Sequence, residues 1–258
     1  MNTVEGYAFM LTLMAGLATL LGSLIALFAK RTNTKLLAGS LGFSAGVMIY
    51  VAMAELFLKS KDYLVGYGGE FWGNTVAAAS FFGGMIFIGI IDYFVPTDEG
   101  DIGNVGEKGS LKKMSLLTTA AIAIHNFPEG MVTFASTLSD VKLGIMIAVA
   151  IAIHNIPEGI ATALPVFFAS GDRKKAFVLS AVSGLTEPIG AIMGYTILKP
   201  FLDDKMIGIL FGAIAGIMMF ISLEELLPMA REYEKSKLTI LTVIGGMAIM
   251  AASLIMFL

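Results

Sequence analysis

Cysteine is absent from this chain of 258 residues, and charged residues are scarce. Without cysteine, neither disulfides nor thiolate metal sites can form. Only 14% of the residues are charged and 57% are hydrophobic, whereas soluble domains carry about 25% charged and about 45–50% apolar residues. This composition predicts an integral membrane protein. The formal net charge of −3 argues against nucleic acid as a partner, since domains that bind nucleic acid are typically basic.

Long apolar runs divide the chain into segments of similar length. A helix needs about 20 apolar residues to cross a bilayer, and eight runs of that kind are present. They cover approximately residues 5–29, 36–58, 71–95, 114–137, 142–169, 176–198, 206–229 and 238–257. None alternates apolar and polar residues as the strands of a membrane barrel do. We therefore predict an all-α membrane protein in which residues 1–258 form one domain of eight transmembrane helices.

The positions of lysine and arginine predict the orientation in the bilayer. Twelve of the 17 basic residues lie in the first, third, fifth and seventh connections. Because basic residues concentrate in cytoplasmic loops, we expect these connections to be cytoplasmic and both termini to be extracytoplasmic. The longest of them, at about 96–113, is rich in glycine and charge and contains no histidine. We expect it to be mobile, either as a simple tether or as a weak acidic collector of cations.

One ten-residue phrase occurs twice in the middle of the chain. Residues 121–130 read A-I-A-I-H-N-F-P-E-G, and residues 150–159 read A-I-A-I-H-N-I-P-E-G. In each copy a histidine and a glutamate four residues apart share one helix face, and a proline frees a backbone carbonyl one turn earlier. Polar groups at membrane depth are costly and usually functional. Two such helices facing each other would bring together imidazoles, amide oxygens and carboxylates, which is the composition of a metal site.

A further intramembrane carboxylate, Glu187, lies in the phrase S-G-L-T-E-P of the sixth run. It also precedes a proline, and we expect it to join the carboxylates of the two repeated phrases. Three glutamates so close together need a cation or protons to balance their charge. The predicted metal ligands are His125, Asn126, Glu129, His154, Asn155, Glu158 and Glu187. For the histidines, the alternative interpretation is an interhelical hydrogen bond that only fixes packing.

Ligands of this kind restrict the choice of metal. Nitrogen and oxygen donors without thiolates suit Zn²⁺, Fe²⁺, Mn²⁺, Co²⁺ or Cd²⁺ and disfavour Cu⁺, while Mg²⁺ and Ca²⁺ prefer shells of oxygen alone. Glu129 and Glu158 each carry two oxygens and can bridge two ions. We therefore hypothesise a two-ion site, with one ion on the histidine side and the other beside the asparagines and Glu187.

A fainter repeat relates the second apolar run to the seventh. Residues 42–57 and 212–227 share identical residues at six positions, at an offset of 170. In the predicted topology these two spans run in opposite directions, so spans 1–3 are expected to be related to spans 6–8, and span 4 to span 5, as an inverted repeat. Such repeats are typical of alternating-access transporters. Glu55 and Glu225 occupy matched positions and are either solvated rim charges or carboxylates at an entrance and an exit.

The paired H-N-x-P-E-G phrases, S-G-L-T-E-P and the eight-span plan resemble the ZIP (Zrt/Irt-like) metal transporters over essentially the whole chain. The sequence is most similar to the bacterial ZupT subfamily. The resemblance implies uptake of divalent transition metals, chiefly Zn²⁺ and Fe²⁺, through a binuclear site between helices 4, 5 and 6. It implies that the first ion is held by Glu129, His154 and Glu158 with His125 as a further ligand, and the second by Asn126, Glu129, Asn155, Glu158 and Glu187.

The resemblance also implies a homodimer and, for some members, an elevator-like slide of one helix bundle. The expected function is therefore uptake of zinc, and also of iron, manganese, cobalt and cadmium, into the cytoplasm across a bacterial cell membrane. We expect transported ions but no cofactor. Two rival functions remain: an intramembrane metalloenzyme, although H-E-x-x-H is absent from the sequence, and a passive channel lined by rings of glutamate.

Overall fold

The computed structural model of the protein describes residues 3–30, 33–94, 108–139, 141–198, 203–234 and 237–256. These ranges contain helices and no strands. The helices are α1 (Thr3–Phe28), α2 (Thr34–Val51), α3 (Phe57–Gly68), α4 (Glu70–Phe94), α5 (Lys108–Ser139), α6 (Val141–Ser170), α7 (Arg173–Gly184), α8 (Thr186–Met193), α9 (Asp204–Phe220), α10 (Leu227–Tyr233) and α11 (Leu238–Met256). Three π-helical turns extend or join them, at Ala52–Leu56, Gly194–Leu198 and Ile221–Leu226.

Most of the predicted spans correspond to continuous helical stretches. By length and apolar composition, seven stretches within the described ranges are suited to crossing a membrane. The eighth predicted span is α5, which is not among them, because it is less apolar on average than α6, the helix that carries the other copy of the phrase. With 32 residues and a rise of about 1.5 Å per residue, α5 is nonetheless longer than the hydrocarbon core is thick. The all-helical membrane fold is confirmed, while the orientation of the termini stays a prediction.

Two boundaries differ from the sequence-based prediction. The second span does not end near residue 58, because α2 continues through the π-helical turn Ala52–Leu56 into α3 and gives one stretch from Thr34 to Gly68. The predicted mobile loop at about 96–113 lies mostly outside the described residues. Its last part, 108–113, belongs to the first turns of α5.

The helices pack as two groups. The first bundle contains α1, α5, α6, α7 and α8, and the second bundle contains α2, α3, α4, α9, α10 and α11; contacts are dense within each group and sparser between them. The groups meet mainly where α2 packs on α6 and, less extensively, where α5 approaches α9. The two repeated phrases on α5 and α6 therefore lie within the first bundle.

Glycines allow close approach of the helix backbones in both bundles. A Cβ atom at Gly159 of α6 would collide with the backbone carbonyl of Thr19 in α1, and one at Gly46 of α2 would collide with that of Val243 in α11. Close backbone contact at small residues is the usual basis of helix association in membranes, where lipid is as apolar as the side chains.

The two segments of the fainter repeat share a local distortion. Glu55 lies in the π-helical turn Ala52–Leu56, and Glu225 lies in the π-helical turn Ile221–Leu226. Turns of this kind are rare and occur often at functional sites, so their occurrence at matched positions supports the 170-residue repeat. The inverted relationship of whole spans stays a prediction.

Candidate metal centre

The seven predicted ligands lie together in the interior of the first bundle. His125, Asn126 and Glu129 project from the middle of α5, their counterparts His154, Asn155 and Glu158 from α6, and Glu187 from the first turn of α8. Every one of these side chains is buried, with at most 2% of the residue exposed. Sequence reasoning therefore identified a real cluster of buried polar groups.

The two repeated phrases pair with each other across the interface of α5 and α6. His125 Nε2 lies 2.7 Å from Glu158 Oε1, and His154 Nε2 lies 3.3 Å from Glu129 Oε2. Each histidine thus contacts the glutamate of the other copy rather than the one four residues along its own helix. This reciprocal arrangement was not anticipated from the spacing, which fixes only the face on which each pair lies.

The two asparagines lie on the side of the cluster that faces α7 and α8 and donate hydrogen bonds there. Asn155 Nδ2 donates hydrogen bonds to Glu187 Oε1 and, at 2.9 Å, to the carbonyl of Ala15 in α1. Asn126 Nδ2 donates to the carbonyl of Ser183 at 3.1 Å. Because the amide nitrogens are engaged by protein acceptors, the amide oxygens remain as the groups that a cation can use.

Each of the seven residues keeps one buried polar atom that has no hydrogen-bond partner among the described residues. These atoms are Nδ1 of His125 and His154, Oδ1 of Asn126 and Asn155, Oε1 of Glu129, and Oε2 of Glu158 and Glu187. A buried acceptor without a partner typically costs about 1–3 kcal/mol, and more if it is charged. Seven in one cluster is unusual. Their composition, nitrogen and oxygen without sulfur, fits Zn²⁺ and similar ions.

The glutamates are not arranged around a common point in this conformation. In the part of the chain that the structure describes, no three His, Asp or Glu side chains converge as ligands of one ion. The carboxylates of Glu129 and Glu158 are paired with imidazoles, and that of Glu187 with an amide. An ion bound through His125 Nε2 or His154 Nε2 would have to replace a histidine–glutamate pair. The two-ion arrangement stays a prediction.

The glycine that ends each repeated phrase has a structural role. A Cβ atom at Gly130 would collide with the backbone carbonyl of Glu187, just as one at Gly159 would collide with that of Thr19. Gly190 of α8 is likewise close to the backbone of Phe127 in α5. Because these positions lack a side chain, α8 and α1 can lie directly against the helices that carry the predicted ligands.

Two partners of the cluster were missed by sequence reasoning. Ala15 contributes only a backbone carbonyl, and Ser44 Oγ, on α2 of the second bundle, donates a buried hydrogen bond of 2.8 Å to the carbonyl of Pro157. Neither residue carries a sequence signal, since alanine and serine are common in membrane helices. The prolines themselves, Pro128 and Pro157, lie within continuous helices.

A cavity of about 350 Å³ approaches the cluster from one end of the molecule, between the two bundles. Its lining includes Tyr63 of α3, Pro128, Met131 and Ser136 of α5, Tyr195 of the second π-helical turn, and Ile207 of α9. Pro128 directly precedes the predicted ligand Glu129. The cavity lining thus includes the residue next to Glu129 in the sequence, but none of the predicted ligands themselves.

A bundle of membrane-length helices with imidazoles and carboxylates buried at its centre is typical of proteins that move cations or protons across a membrane. Residues 98–254 match the family model described as ZIP zinc transporter. The chain belongs to this family, which confirms the resemblance seen in the sequence and places the protein among transporters rather than enzymes.

Individual relatives match over nearly their whole length. The chain is 55% identical to the "Zinc transporter ZupT" of Oceanobacillus iheyensis, over 96% of this chain and 97% of the relative. It is 53% identical to the protein of the same name from Lysinibacillus sphaericus, with the same coverage. The identity to the Clostridium perfringens protein of that name is 51%, over 97% of this chain and 95% of the relative. The expected similarity to the ZupT subfamily is confirmed.

Proposed function

We propose that the protein takes up zinc into the cytoplasm, with iron, manganese, cobalt and cadmium as further substrates. The observation that carries this proposal is the cluster of seven buried side chains, each with an unpartnered polar atom, in the middle of the first bundle. Zinc is the metal in the names of the relatives, and the donor set suits it. The wider substrate range follows from the same donors, which do not strongly separate these divalent ions.

The proposed site binds two ions. Glu129 and Glu158 are its centre, since each contacts an imidazole through one oxygen and keeps the other oxygen unpartnered. The contact of Asn155 with Glu187 supports a second group of ligands on the asparagine side. We assign Glu129, His154, Glu158 and His125 to the first ion, and Asn126, Glu129, Asn155, Glu158 and Glu187 to the second.

Binding at this site exchanges hydrogen bonds for metal bonds. Nitrogen Nε2 of His125 cannot hold a proton toward Glu158 and ligate a metal through the same lone pair, and the same holds for His154 and Glu129. Binding of an ion through Nε2 would therefore open the reciprocal pairs and release the protons they hold, whereas binding through the unpartnered Nδ1 atoms would leave the pairs intact. Release of the ion allows each imidazole to return to its glutamate.

Access to the site follows from the two-bundle architecture. The cavity beside Pro128 lies between the bundles at the ends of α5 and α3, which the predicted orientation assigns to the extracytoplasmic side. We propose that ions enter there and that a displacement of the first bundle relative to the second exposes the cluster to the cytoplasm. The proposed setting is a bacterial plasma membrane with both termini outside, and the proposed assembly is a homodimer.

Counterflow of zinc tests the proposal. The protein is purified, reconstituted into liposomes and supplied with radioactive zinc outside, with or without unlabelled zinc inside. A carrier gives saturable uptake that internal zinc accelerates. Flux that rises linearly with concentration and does not respond to internal zinc would indicate a pore instead, and absence of uptake by folded protein would contradict zinc transport altogether.

A further inference from the structure

The second bundle contains one ion pair close to the cavity that the proposed site does not use. Lys59 Nζ lies 3.0 Å from Glu55 Oε1. The other carboxylate oxygen, Glu55 Oε2, is buried and has no hydrogen-bond partner among the described residues. The Glu55 side chain is only 14% exposed, so it is not the solvated rim charge that its place near the end of a span suggested.

Helix geometry places this pair within two turns of the cavity lining. Glu55, Lys59 and Tyr63 follow each other at intervals of four residues, which puts them on one helix face about 6 Å apart along the axis. Tyr63 lines the cavity. Lys59 Nζ lies 6.0 Å from the ring centroid of Phe211, and Phe211 lies on α9 between the cavity-lining residues Ile207 and Ile214.

The charges of the pair also act on the proposed metal ligands. Glu55 and Lys59 lie in the second bundle, whereas His154 and Glu129 lie in the first. The charge of Glu55 nevertheless interacts with His154, and that of Lys59 interacts with Glu129. Glu55 and Lys59 thus contribute to the electrostatic environment of the site from the second bundle.

We propose that Glu55 is a relay ligand for divalent cations on their way from the cavity to Glu129 and His154, and that Lys59 is its built-in counter-ion. The ammonium group neutralises Glu55 when no ion is present. An arriving divalent cation displaces it, because a doubly charged ion interacts more strongly with a carboxylate than a singly charged one does. This inference rests on the proposed transport function.

Substitutions that change one charge at a time test the relay. In liposomes with zinc uptake, Glu55→Gln leaves Lys59 unpaired beside the path and should raise the KM for zinc by on the order of tenfold. Lys59→Gln exposes the carboxylate and should lower both KM and maximal rate, since the ion is held longer. The double variant Glu55→Gln/Lys59→Gln should show an intermediate KM.

Matched controls lie on the opposite face of the same helix and at the exposed start of α4. Lys61→Gln makes the same charge change as Lys59→Gln, and Glu70→Gln makes the same charge change as Glu55→Gln; both should leave KM unchanged. If the pair only stabilises packing, both single variants will lower thermal stability without moving KM, and the relay is then wrong. If the wild type takes up zinc and Glu55→Gln has an unchanged KM, the relay is wrong and the transport proposal stands. If the wild type takes up no zinc, both the transport proposal and the relay are wrong.

The lack of native cysteine allows a second, independent measurement. Lys59→Cys introduces a single thiol, whose reaction with a membrane-impermeant maleimide can be followed in the full chain. Zinc bound at Glu55 should slow the labelling several-fold, and Glu55→Gln should remove this protection. Labelling that zinc does not affect, in protein that still transports zinc, contradicts a metal site at Glu55.

Discussion

The two bundles contrast most clearly in what they bury. The interior of the second bundle is mostly apolar, with Leu37, Met48 and Met218 among its fully buried side chains. Among the described residues its fully buried polar side chains are small hydroxyl groups such as that of Ser44, and Glu55 is only partly buried. The interior of the first bundle contains both histidines of the chain and three glutamates. The second bundle is therefore stabilised mainly by apolar packing, whereas the first contains buried polar groups that a cation can stabilise. The following predictions test this division.

The largest effect is expected from the proposed ligands in the first bundle. Glu158→Ala or His154→Ala should reduce zinc uptake to the background of empty liposomes, because each removes a group from the reciprocal pairing. Radioactive zinc uptake measures this, with size-exclusion chromatography to confirm folding. Glu70→Ala, at the exposed end of α4, is the matched control and should transport normally. Unimpaired uptake by Glu158→Ala would refute the site.

The next largest effect on stability and uptake is expected where helices pack closely at glycine. Substitutions there distinguish the roles of the two bundles. Gly130→Ala should push α8 away from α5, because the new methyl group collides with the backbone of Glu187. We expect a loss of stability of about 1–3 kcal/mol, seen as a lower melting temperature, together with strongly reduced uptake.

Two other glycines serve as references for that experiment. Gly46→Ala in the second bundle collides with the backbone of Val243 and should lower the melting temperature while zinc affinity is retained. Gly6→Ala in α1 meets nothing within 4 Å and should be neutral. If Gly130→Ala and Gly46→Ala affect zinc affinity equally, the bundles do not differ as described.

A moderate effect is expected for Asn126, which lies on the asparagine side of the cluster. Asn126→Ala should change the preference among metals more than it changes zinc transport, because it removes an amide oxygen and keeps the imidazoles. Competition of Fe²⁺, Mn²⁺ and Cd²⁺ with radioactive zinc measures the change, which we expect to be several-fold. Equal loss of transport for every metal would show that Asn126 acts only through packing.

The smallest effect concerns the contact between the bundles. Ser44→Ala removes the hydrogen bond to the carbonyl of Pro157, a change of about 1 kcal/mol, and should alter the maximal rate a few-fold without changing KM. Ser60→Ala removes a hydrogen bond of 2.7 Å to the carbonyl of Gly208 within the second bundle. This control should lower stability to a similar extent and leave the rate unchanged. Identical rates for the two variants would show that the Ser44 contact does not resist relative movement.

The sequence predicted the location of the cluster well, for a physical reason. Polar residues in a long apolar run have few acceptable environments, so His125 and Glu158 had to face the bundle interior. Hydropathy likewise predicted the helices, although the signal of α5 is weaker because this helix is less apolar on average than α6. The family match then confirmed the class of protein.

Other features depend on tertiary contacts that local patterns do not encode. The spacing of His125 and Glu129 predicts a shared face but not that each histidine pairs with the other helix. The continuation of α2 into α3 depends on the π-helical turn, which no residue type marks. Ser44 and Ala15 are recognisable as partners of the cluster only once α2 and α1 are placed against α6.

The crossed pairing of histidines and glutamates has a consequence for the half of the cycle in which nothing is carried. An empty carrier must return to its outward-facing state, and unpaired carboxylates within the membrane would raise the free energy of that step. Here Glu129 and Glu158 each have an imidazole within hydrogen-bonding range to close upon. In the proposed transport cycle these pairs would take the place of the departed ion, once the protons released on metal binding have returned to them.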